Sequence, residues 1–540
     1  MQDVPLTITH LFDRAEKYHG HKEIVTAVAG GVERRTYAEW ANRTRRLAAV
    51  LDTLEISPDG RVATFAWNNA RHLELYFAAP CSGRVLHTLN IRLFPEQLTY
   101  IVNHADDEVI FADKTLMGLL APLLSTFERL KHLVIMDDGG GDVPDLDLGD
   151  IQLHDYEELL AREEPIQFPE ITDENQAASM CYTSGTTGNP KGVVYTHRST
   201  FLHTMGAMTA DSLGARESDV ILPVVPMFHA NAWGLAHAAV ATGASLVMPG
   251  ADLSGPAIAK LIVDEKVTVA AGVPTIWMAV LPELAGKDTS SLRTIPCGGS
   301  AVPKSLSEGY REQLGLPILQ AWGMTETSPI ASVCHLDVDQ QDLPVDEQAD
   351  LRTQVGRISF GVEARVVDPD TMEPMPWDGQ ASGELQCRGN WIAADYYDDP
   401  RSTDSFTSDG WLKTGDVASV DPRGRIRLVD RTKDLIKSGG EWISSVELEN
   451  EIMAHPQVAE AAVIGVEHPK WGEAAVACIV KAPGEDPTED SIIEFLTDKV
   501  AKWQLPKGIV WIDEVPKTSV GKFSKKDLRS EYGDLLMREQ

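Results

Sequence analysis

Residues 182–192 read Tyr-Thr-Ser-Gly-Thr-Thr-Gly-Asn-Pro-Lys-Gly, and this stretch says more about the fold than any other. Its glycines let the backbone approach a ligand closely, and successive backbone N–H groups can form a nest for an anion. Lys191 adds a positive charge. It is followed by Gly192 and Val193-Val194-Tyr195, which is typical of a strand, whereas a Walker A loop runs into a helix. The stretch predicts a polyphosphate-binding loop followed by a strand; a flexible surface turn is the alternative.

Outward from this loop, short apolar runs alternate with segments of helical pattern, which is typical of βαβ units with parallel strands. The strand–helix pairs are 62–66 with 70–79, 109–112 with 115–124, 245–248 with 255–265, and 267–271 with 275–284. After about residue 382 turn-punctuated segments follow, and the last part has strands at 460–465 and 474–481 and helices at 445–454 and 489–502. We predict an α/β protein with a large N-terminal domain of mixed β-sheets and flanking helices (1–430) and a small α+β domain (431–540).

The composition of the chain limits which kinds of molecule it is expected to bind and where it is expected to reside. The chain has 540 residues and a net charge of −33, which disfavours nucleic acid and anionic membranes but still allows a local basic pocket. The six cysteines are scattered without a Cys-x-x-Cys pair, which favours reduced thiols over a disulfide frame or a zinc site. The N-terminus lacks signal-peptide character, and no apolar stretch is long enough to span a bilayer. We expect a cytoplasmic protein.

Two motifs indicate nucleotide chemistry. Trp322-Gly323-Met324-Thr325-Glu326-Thr327 follows the strand-like run 318–321. Its indole can stack on a base, and its carboxylate suits Mg²⁺, which commonly bridges phosphates. Thr414-Gly415-Asp416, which we expect in a loop, offers a carboxylate to the hydroxyls of a ribose. Taken singly, both motifs also fit an ordinary corner or turn.

Three further segments carry candidate residues. Residues 430–434 and 436–441 combine alternating charge with a glycine pair, which suggests a hinge or a charged surface loop. Lys522, between Gly521 and Phe523, could neutralise charge on a transferring phosphoryl group, although surface lysines are common. His229 and Trp233 are four residues apart and could share a helical face that walls an apolar pocket, or else lie in the core.

Together these motifs resemble the adenylate-forming family of acyl-CoA synthetases, luciferases and adenylation domains of peptide synthetases. The matching order and spacing extend from about residue 180 to 526. The resemblance implies a small mobile C-terminal domain that rotates between two half-reactions, with ATP, Mg²⁺ and coenzyme A required. First a carboxylate attacks the α-phosphorus of ATP and pyrophosphate leaves. The CoA thiol then displaces AMP from the acyl-adenylate.

The resemblance also implies residue roles. Lys522, His229 and Glu326 would be catalytic, Thr183 and Glu326 would hold Mg²⁺, and Lys433 would be the hinge. The ATP-binding residues would be Thr183, Ser184, Gly185, Thr186, Thr187, Gly188, Lys191, Gly299, Ser300, Ala301, Trp322, Gly323, Met324, Thr325, Asp416, Arg431 and Lys522. The acyl group would meet His229, Trp233, Gly299, Ala301 and Trp322. CoA would meet Ser438, Gly439, Gly440, Trp442 and Trp471. Trp322 stands where the family usually has tyrosine, which preserves stacking but loses the hydroxyl.

Within the family, the segment 226–234 and the Trp-Gly-Met-Thr-Glu-Thr-Ser-Pro motif are similar to the bacterial medium-chain group, which includes the 3-methylmercaptopropionate-CoA ligases of marine bacteria that act in dimethylsulfoniopropionate breakdown. Bulky Trp233 and Trp322 would shorten the acyl pocket, so we expect 3-methylmercaptopropionate and short or medium fatty acids as substrates. The alternatives are an aryl- or long-chain ligase, a peptide-synthetase module, a luciferase-like monooxygenase, or a non-catalytic nucleotide sensor. A homodimer is compatible with the resemblance.

Overall fold

The computed structural model describes residues 1–183, 189–438, 441–517 and 523–538. The strands in these ranges are β1 (Glu23–Val28), β2 (Gly31–Thr36), β3 (Arg61–Phe65), β4 (Val85–Thr88), β5 (Asp107–Asp113), β6 (His132–Met136), β7 (Gln152–Asp155), β8 (Ala177–Tyr182), β9 (Gly192–Thr196), β10 (Val220–Pro223), β11 (Ser245–Met248), β12 (Val269–Ala271), β13 (Pro296–Cys297), β14 (Leu319–Gly323), β15 (Ile330–Val333), β16 (Arg357–Ile358), β17 (Val362–Val367), β18 (Ser382–Gly389), β19 (Leu412–Val420), β20 (Ile426–Arg431), β21 (Ile436–Ser438), β22 (Glu441–Ile443), β23 (Val458–His468), β24 (Gly472–Lys481) and β25 (Gly508–Trp511).

The α-helices in the same ranges are α1 (Ile8–His19), α2 (Tyr37–Thr53), α3 (Ala70–Cys81), α4 (Pro95–His104), α5 (Met117–Leu120), α6 (Tyr156–Arg162), α7 (His197–Met208), α8 (Leu235–Thr242), α9 (Gly255–Asp264), α10 (Pro274–Val280), α11 (Lys304–Leu314), α12 (Val345–Arg352), α13 (Ser402–Ser405), α14 (Ser445–Met453), α15 (Glu489–Thr497), α16 (Lys525–Tyr532) and α17 (Leu535–Arg538). Two 3₁₀ turns, Ala230–Gly234 and Thr325–Thr327, carry predicted site residues.

Two large sheets form the first part of the chain. Among the described residues, one has the order β7-β6-β5-β3-β4-β8-β9 and is parallel except for the final β8–β9 pair. The other has the order β12-β10-β11-β1-β2 and is parallel except for the β1–β2 hairpin. The βαβ alternation predicted from the sequence is therefore confirmed. The phosphate loop connects β8 to β9, so the predicted strand after Lys191 is also confirmed.

Helices α1, α2, α3 and α8 pack between and beside these sheets around an aromatic cluster. Trp40 lies 5.0 Å from Phe12 and 5.1 Å from Phe77 between ring centroids, and all three side chains are buried. Burial of each ring favours folding by a few kcal/mol, on the order of 1.5–3. This aromatic cluster packs against the two large sheets and so holds in place the strands whose ends carry the candidate site.

Smaller sheets follow, and two expected helices differ from the prediction. The sheets have the orders β13-β14-β15-β16 and β17-β18-β19-β20 in the described residues. The helix expected over 115–124 is mostly 3₁₀ turns around the short α5, and Pro122, which lacks an N–H to continue an α-helix, lies two residues after the end of α5. The helix expected over 489–502 ends at Thr497, where the Thr497 hydroxyl donates back to Ile493 O and competes with continued helix.

The C-terminal part is a compact α+β unit, as predicted. Its sheet has the order β22-β21-β24-β23, with β25 beside β24. Successive residues of β23 alternate between two buried clusters: Ala461 and Val463 pack with α14 and α15, and Ala462 and Ile464 pack with α16. This period of two is what a strand covered on both faces requires. Residues 432–435 join β20 of the preceding sheet to β21 of this one.

Candidate functional site

The hairpin of β8 and β9 brings Thr183 and Lys191 together. Thr183 N donates to Lys191 O at 2.9 Å, and Lys191 N donates to Thr183 Oγ1 at 3.2 Å, so the antiparallel ladder continues to the base of the loop. The tip of the loop lies outside the described residues. Its predicted phosphate ligands are Ser184, Gly185, Thr186, Thr187 and Gly188, and their roles stay predictions.

Glu326 lies in the turn Thr325–Thr327 that follows β14, and its side chain is buried. Tyr195 of β9 donates to Thr325 O at 2.8 Å, which ties this turn to the phosphate-loop hairpin. A Cβ on Gly323 would lie 1.7 Å from Pro329 O, so only glycine fits at the start of the turn. Strand β14 therefore extends through Trp322 and Gly323, two residues further than the run expected from the sequence.

Tyr396 contacts both the Glu326 carboxylate and the Lys191 ammonium group. No sequence motif indicated this residue. Its hydroxyl donates to Glu326 Oε1 at 2.5 Å, and Lys191 Nζ lies 4.4 Å from its ring centroid. Lys191 Nζ also donates to Ser405 Oγ at 3.0 Å. The signal that could have found this segment is an aromatic pair followed by Asp-Asp-Pro-Arg at 398–401, between two strands.

A second cluster of hydrogen-bonded side chains consists of Trp322, Asp416 and Arg431. Trp322 Nε1 donates to Asp416 Oδ2 at 2.9 Å, and Arg431 Nε donates to Asp416 Oδ1 at 2.8 Å. The expected loop at Asp416 is wrong: Asp416 lies inside β19 and pairs in register with Arg431 of β20. Glycine and aspartate usually mark turns, but here the strand contains Gly415 at a φ of 70°, where the register of β19 with β18 shifts.

The expected helical face shared by His229 and Trp233 is also wrong. The turn Ala230–Gly234 is left-handed, with Trp233 at a φ of 57°, so right-handed i, i+4 spacing does not apply. Trp233 nevertheless reaches the strand ends. A Cβ on Gly298 would lie 3.5 Å from Trp233 Cη2 and 2.5 Å from Ala321 O. The indole thus packs against the segment that the sequence assigned to the acyl group.

The other residues of that segment follow β13 directly. They are Gly299, Ser300 and Ala301. Because β13 and β14 are parallel, with Cys297 opposite Gln320, their carboxyl ends meet at one edge of the sheet. Trp322, two residues after Gln320, therefore lies at the same end of the sheet as the segment that follows Cys297.

The predicted CoA residues cluster at one edge of the C-terminal sheet. Ser438 of β21 pairs with Gly472, the residue after Trp471. Trp442 on β22 is about half exposed, and Lys437 Nζ lies 5.2 Å from its ring centroid. Gly439 and Gly440 lie outside the described residues. The aromatic and basic side chains of this edge suit a nucleotide with phosphates.

The predicted hinge lies in the connection between the two parts. Lys433 is in the turn between β20 and β21, and burial lowers the pKa of its ammonium group. Its neighbour Asp434 forms an ion pair with Arg529 of α16. Lys522 lies outside the described residues, so its role rests on the sequence.

Other expectations concern metals, cysteines and membranes. Within the described ranges, no three His, Cys, Asp or Glu side chains group as a metal cluster. Glu326 and Thr183 stay the predicted Mg²⁺ ligands, since oxygen ligands suit this ion. The six cysteines are free and buried. None of the helices in the part that the structure describes is long and apolar enough to cross a membrane.

Comparison with known proteins assigns the class. The profile of the AMP-binding enzyme family matches residues 11–397, and that of the AMP-binding enzyme C-terminal domain matches residues 447–522. The chain belongs to the AMP-binding enzyme family. It is an enzyme, and the curated relatives described next are all acid–CoA ligases.

Three relatives cover nearly the whole chain. The chain is 45% identical to a 3-methylmercaptopropionyl-CoA ligase of Ruegeria lacuscaerulensis, over 99% of both chains. It is 43% identical to a medium-chain-fatty-acid–CoA ligase of Ectopseudomonas oleovorans, over 99% of this chain and 97% of the relative. It is also 43% identical to a long-chain-fatty-acid–CoA ligase of Thermus thermophilus, over 98% of this chain and 96% of the relative.

Solved structures confirm the fold. An anthranilate CoA ligase in complex with anthranoyl-AMP matches with a TM-score of 0.86 at 25% identity, over 100% of both chains. ATP-bound MatB from Rhodopseudomonas palustris matches with a TM-score of 0.83 at 26% identity, over 99% of this chain and 100% of that chain.

Proposed function

We propose that this enzyme is an ATP-dependent acid–CoA ligase that forms acyl-CoA, AMP and pyrophosphate. The observation that carries the proposal is the convergence of three groups of side chains. Thr183, Lys191 and Glu326 meet around the base of the β8–β9 loop. Trp322 Nε1 donates to Asp416 at the end of β14, and Trp233 packs against residue 298. These contacts support neighbouring positions for the triphosphate, the nucleoside and the acyl group.

In the first half-reaction, a carboxylate oxygen of the acid attacks the α-phosphorus, the bond to the bridging oxygen breaks, and pyrophosphate leaves. Lys191 and the loop tip bind the β- and γ-phosphates, and Asp416 accepts hydrogen bonds from the ribose. Glu326 Oε1 is held by Tyr396, so Oε2 is the oxygen that we assign to Mg²⁺. Bound Mg²⁺ supplies charge neutralisation on the phosphates. Lys522 stabilises negative charge on the α-phosphate and the attacking carboxylate.

In the second half-reaction, the CoA thiol loses its proton, its sulfur bonds to the acyl carbon, and AMP leaves. Lys522 has to withdraw for the thiol to approach, which is the reason to assign rotation of the C-terminal domain about Lys433. We place part of the CoA at the edge of that domain that carries Ser438, Trp442 and Trp471, where Lys437 supplies a positive charge.

For the acid, we propose 3-methylmercaptopropionate together with short and medium fatty acids. Two relatives support this choice: the 3-methylmercaptopropionyl-CoA ligase, which is 45% identical to this chain, and the medium-chain-fatty-acid–CoA ligase, which is 43% identical. Trp233 and Trp322 are both buried, and the bulk of these side chains at the proposed acyl site favours a short apolar chain. A thioether is polarizable and packs well against aromatic rings.

The test is a coupled assay for AMP and CoA thioester over 3-methylmercaptopropionate, butyrate, hexanoate, octanoate, palmitate and cinnamate. We expect the largest kcat/KM among the first three acids. A maximum at palmitate would instead favour the specificity named for the Thermus relative and would refute the short pocket. Absence of thioester with every acid, despite ATP binding, would refute the ligase assignment and favour a nucleotide sensor.

Lys522→Ala separates the two half-reactions. We expect it to depress pyrophosphate release by two or more orders of magnitude, since electrostatic groups at a transition state commonly contribute about 10²–10³ in rate. Thioester formation from supplied acyl-adenylate should fall far less. Lys526→Ala, on the exposed part of α16, is the matched control. Equal losses in both half-reactions would contradict the role assigned to Lys522.

A further inference from the structure

The segment between β18 and β19 is bonded to two separate parts of the candidate site. Ala393 N donates to Glu326 O at 2.8 Å, and Tyr396 Oη donates to Glu326 Oε1 at 2.5 Å. The same segment holds Lys191 through Ser405 Oγ and through the face of the Tyr396 ring. One tyrosine therefore touches both the carboxylate from β14's turn and the ammonium from the β8–β9 loop.

The burial and hydrogen bonds of Tyr396 hold its hydroxyl in a fixed position as a donor. Its side chain is 7% exposed, and its backbone N–H donates to Ser402 Oγ at 2.7 Å. Its hydroxyl donates to the Glu326 carboxylate, and a hydrogen bond to a charged acceptor is stronger than a neutral one.

The contact with Lys191 is of a different kind. An ammonium over an aromatic face is attracted by the ring without being neutralised. The charge of Lys191 is thus held near Glu326 but remains available to a phosphate. Direct pairing of Lys191 with the Glu326 carboxylate would instead compete with both the phosphate and the cation.

We propose that Tyr396 is a positioning residue that sets the distance between Glu326 and Lys191 and so assembles the site for the metal-bound triphosphate. The proposal rests on the proposed function, because it takes Glu326 as the metal ligand and Lys191 as a phosphate ligand. Tyr396 acts in two ways. Its hydroxyl orients one carboxylate oxygen so that the other faces the cation, and its ring carries the lysine.

The two roles are separated by two variants and a matched control. Tyr396→Phe removes the hydroxyl and keeps the ring; Tyr396→Leu removes both. Tyr397→Phe is the control, because Tyr397 Oη accepts from Arg61 Nη2 at 3.0 Å and has no described hydrogen bond to Glu326 or Lys191. The readouts are the Mg²⁺ concentration for half-maximal pyrophosphate release, the KM for ATP, and the melting temperature.

We expect Tyr396→Phe to raise the half-maximal Mg²⁺ concentration about tenfold, as loss of one hydrogen bond to a charged group predicts, with kcat recovering at high Mg²⁺. Tyr396→Leu should in addition raise the KM for ATP, and Tyr397→Phe should match the parent in both. A Tyr396→Phe enzyme with the parent's Mg²⁺ dependence would overturn the proposal, whatever its melting temperature, because a purely structural tyrosine predicts that result.

Two further measurements keep this test distinct from that of the ligase assignment. Calorimetric titration of Mg-ATP into the parent and Tyr396→Phe needs no acid substrate. Weaker Mg-ATP binding by the variant would support the positioning role even if no acid gave thioester, and equal binding would overturn it. If Glu326→Gln left the Mg²⁺ dependence unchanged, Glu326 would not be a metal ligand, and the role proposed for Tyr396 would fall with it.

Discussion

At the scale of single residues, Trp322 shows how this chain compensates for a departure from the family pattern. The tyrosine hydroxyl usual at this position is lost, but the indole N–H donates to Asp416 Oδ2 at 2.9 Å. Arg431 binds the other oxygen of the same carboxylate. Asp416 is therefore held from two sides. In the proposed site Trp322 would serve both as a stacking surface for the base and as the donor that orients Asp416.

Trp322→Phe tests this pairing. The phenyl ring keeps an aromatic face but leaves Asp416 Oδ2 without its indole partner. We expect the KM for ATP to rise about tenfold, because a hydrogen bond to a charged group contributes roughly 1.5–3 kcal/mol and part of it is recovered by water. The measurement is the KM for ATP at saturating acid. Trp377→Phe, on the surface, is the control. An unchanged KM would show that Arg431 alone orients Asp416.

At the scale of elements, the turn after β14 depends on a single glycine. Gly323 leaves no room for a Cβ because Pro329 O would be 1.7 Å away. Gly323→Ala must displace the turn that carries Glu326. We expect adenylation to fall at least about tenfold and the melting temperature to drop, since overpacking costs roughly 1–3 kcal/mol. Gly118→Ala in α5 is the control, as a Cβ there meets nothing within 4 Å. Parent-like pyrophosphate release by Gly323→Ala would show that the turn adapts.

The connection between β20 and β21 is the element in which we place the hinge. Lys433 lies in its turn, and proline there would lock φ near −65° without removing any hydrogen bond that is described for its N–H. Lys433→Pro should impair thioester formation more than pyrophosphate release, because only the second half-reaction requires rotation. Lys433→Ala controls for loss of the charge. A uniform loss in both half-reactions would contradict the hinge.

At the scale of the whole molecule, buried histidines link stability to pH. His72, His203 and His237 lie on three helices of the core, and burial lowers the pKa of these side chains to about 4, 3 and 4. In the unfolded chain such groups titrate near 6.5. At pH values between the folded and unfolded pKa, these histidines are protonated in the unfolded chain but neutral in the folded protein. Their contribution to stability is complete above about pH 6.5 and is lost as the pH falls toward 4.

His237→Leu removes one of these groups from the helix α8. We expect the free energy of unfolding to depend less steeply on pH between about 6.5 and 4, by roughly 1.4 kcal/mol per pH unit. Denaturant unfolding at a series of pH values measures the slope. His21→Leu, at an exposed position, is the control. A slope equal to the parent's would show that His237 takes up its proton in the folded state.

The sequence by itself determined the fold class and predicted a phosphate-binding loop. Both depend on local pattern: apolar runs alternating with helical segments give parallel strands, and a glycine-rich stretch with Lys191 predicts an anion-binding loop. It also identified Glu326, Asp416 and Lys433 as candidates from short motifs. Local pattern could not say that Asp416 lies within a strand, because its neighbours Thr414 and Gly415 resemble those of a turn.

Only the tertiary structure decided which of these residues meet and what holds them. Tyr396 and Glu326 are 70 residues apart in sequence, and Trp322 and Asp416 are 94 apart. The spacing of His229 and Trp233 suggests a shared face of a right-handed helix, but the turn Ala230–Gly234 is left-handed. Contacts of this kind arise from sheet order and from the path between strands, which short-range periodicity does not encode. Local chemistry thus selects the functional groups, whereas long-range packing sets their geometry.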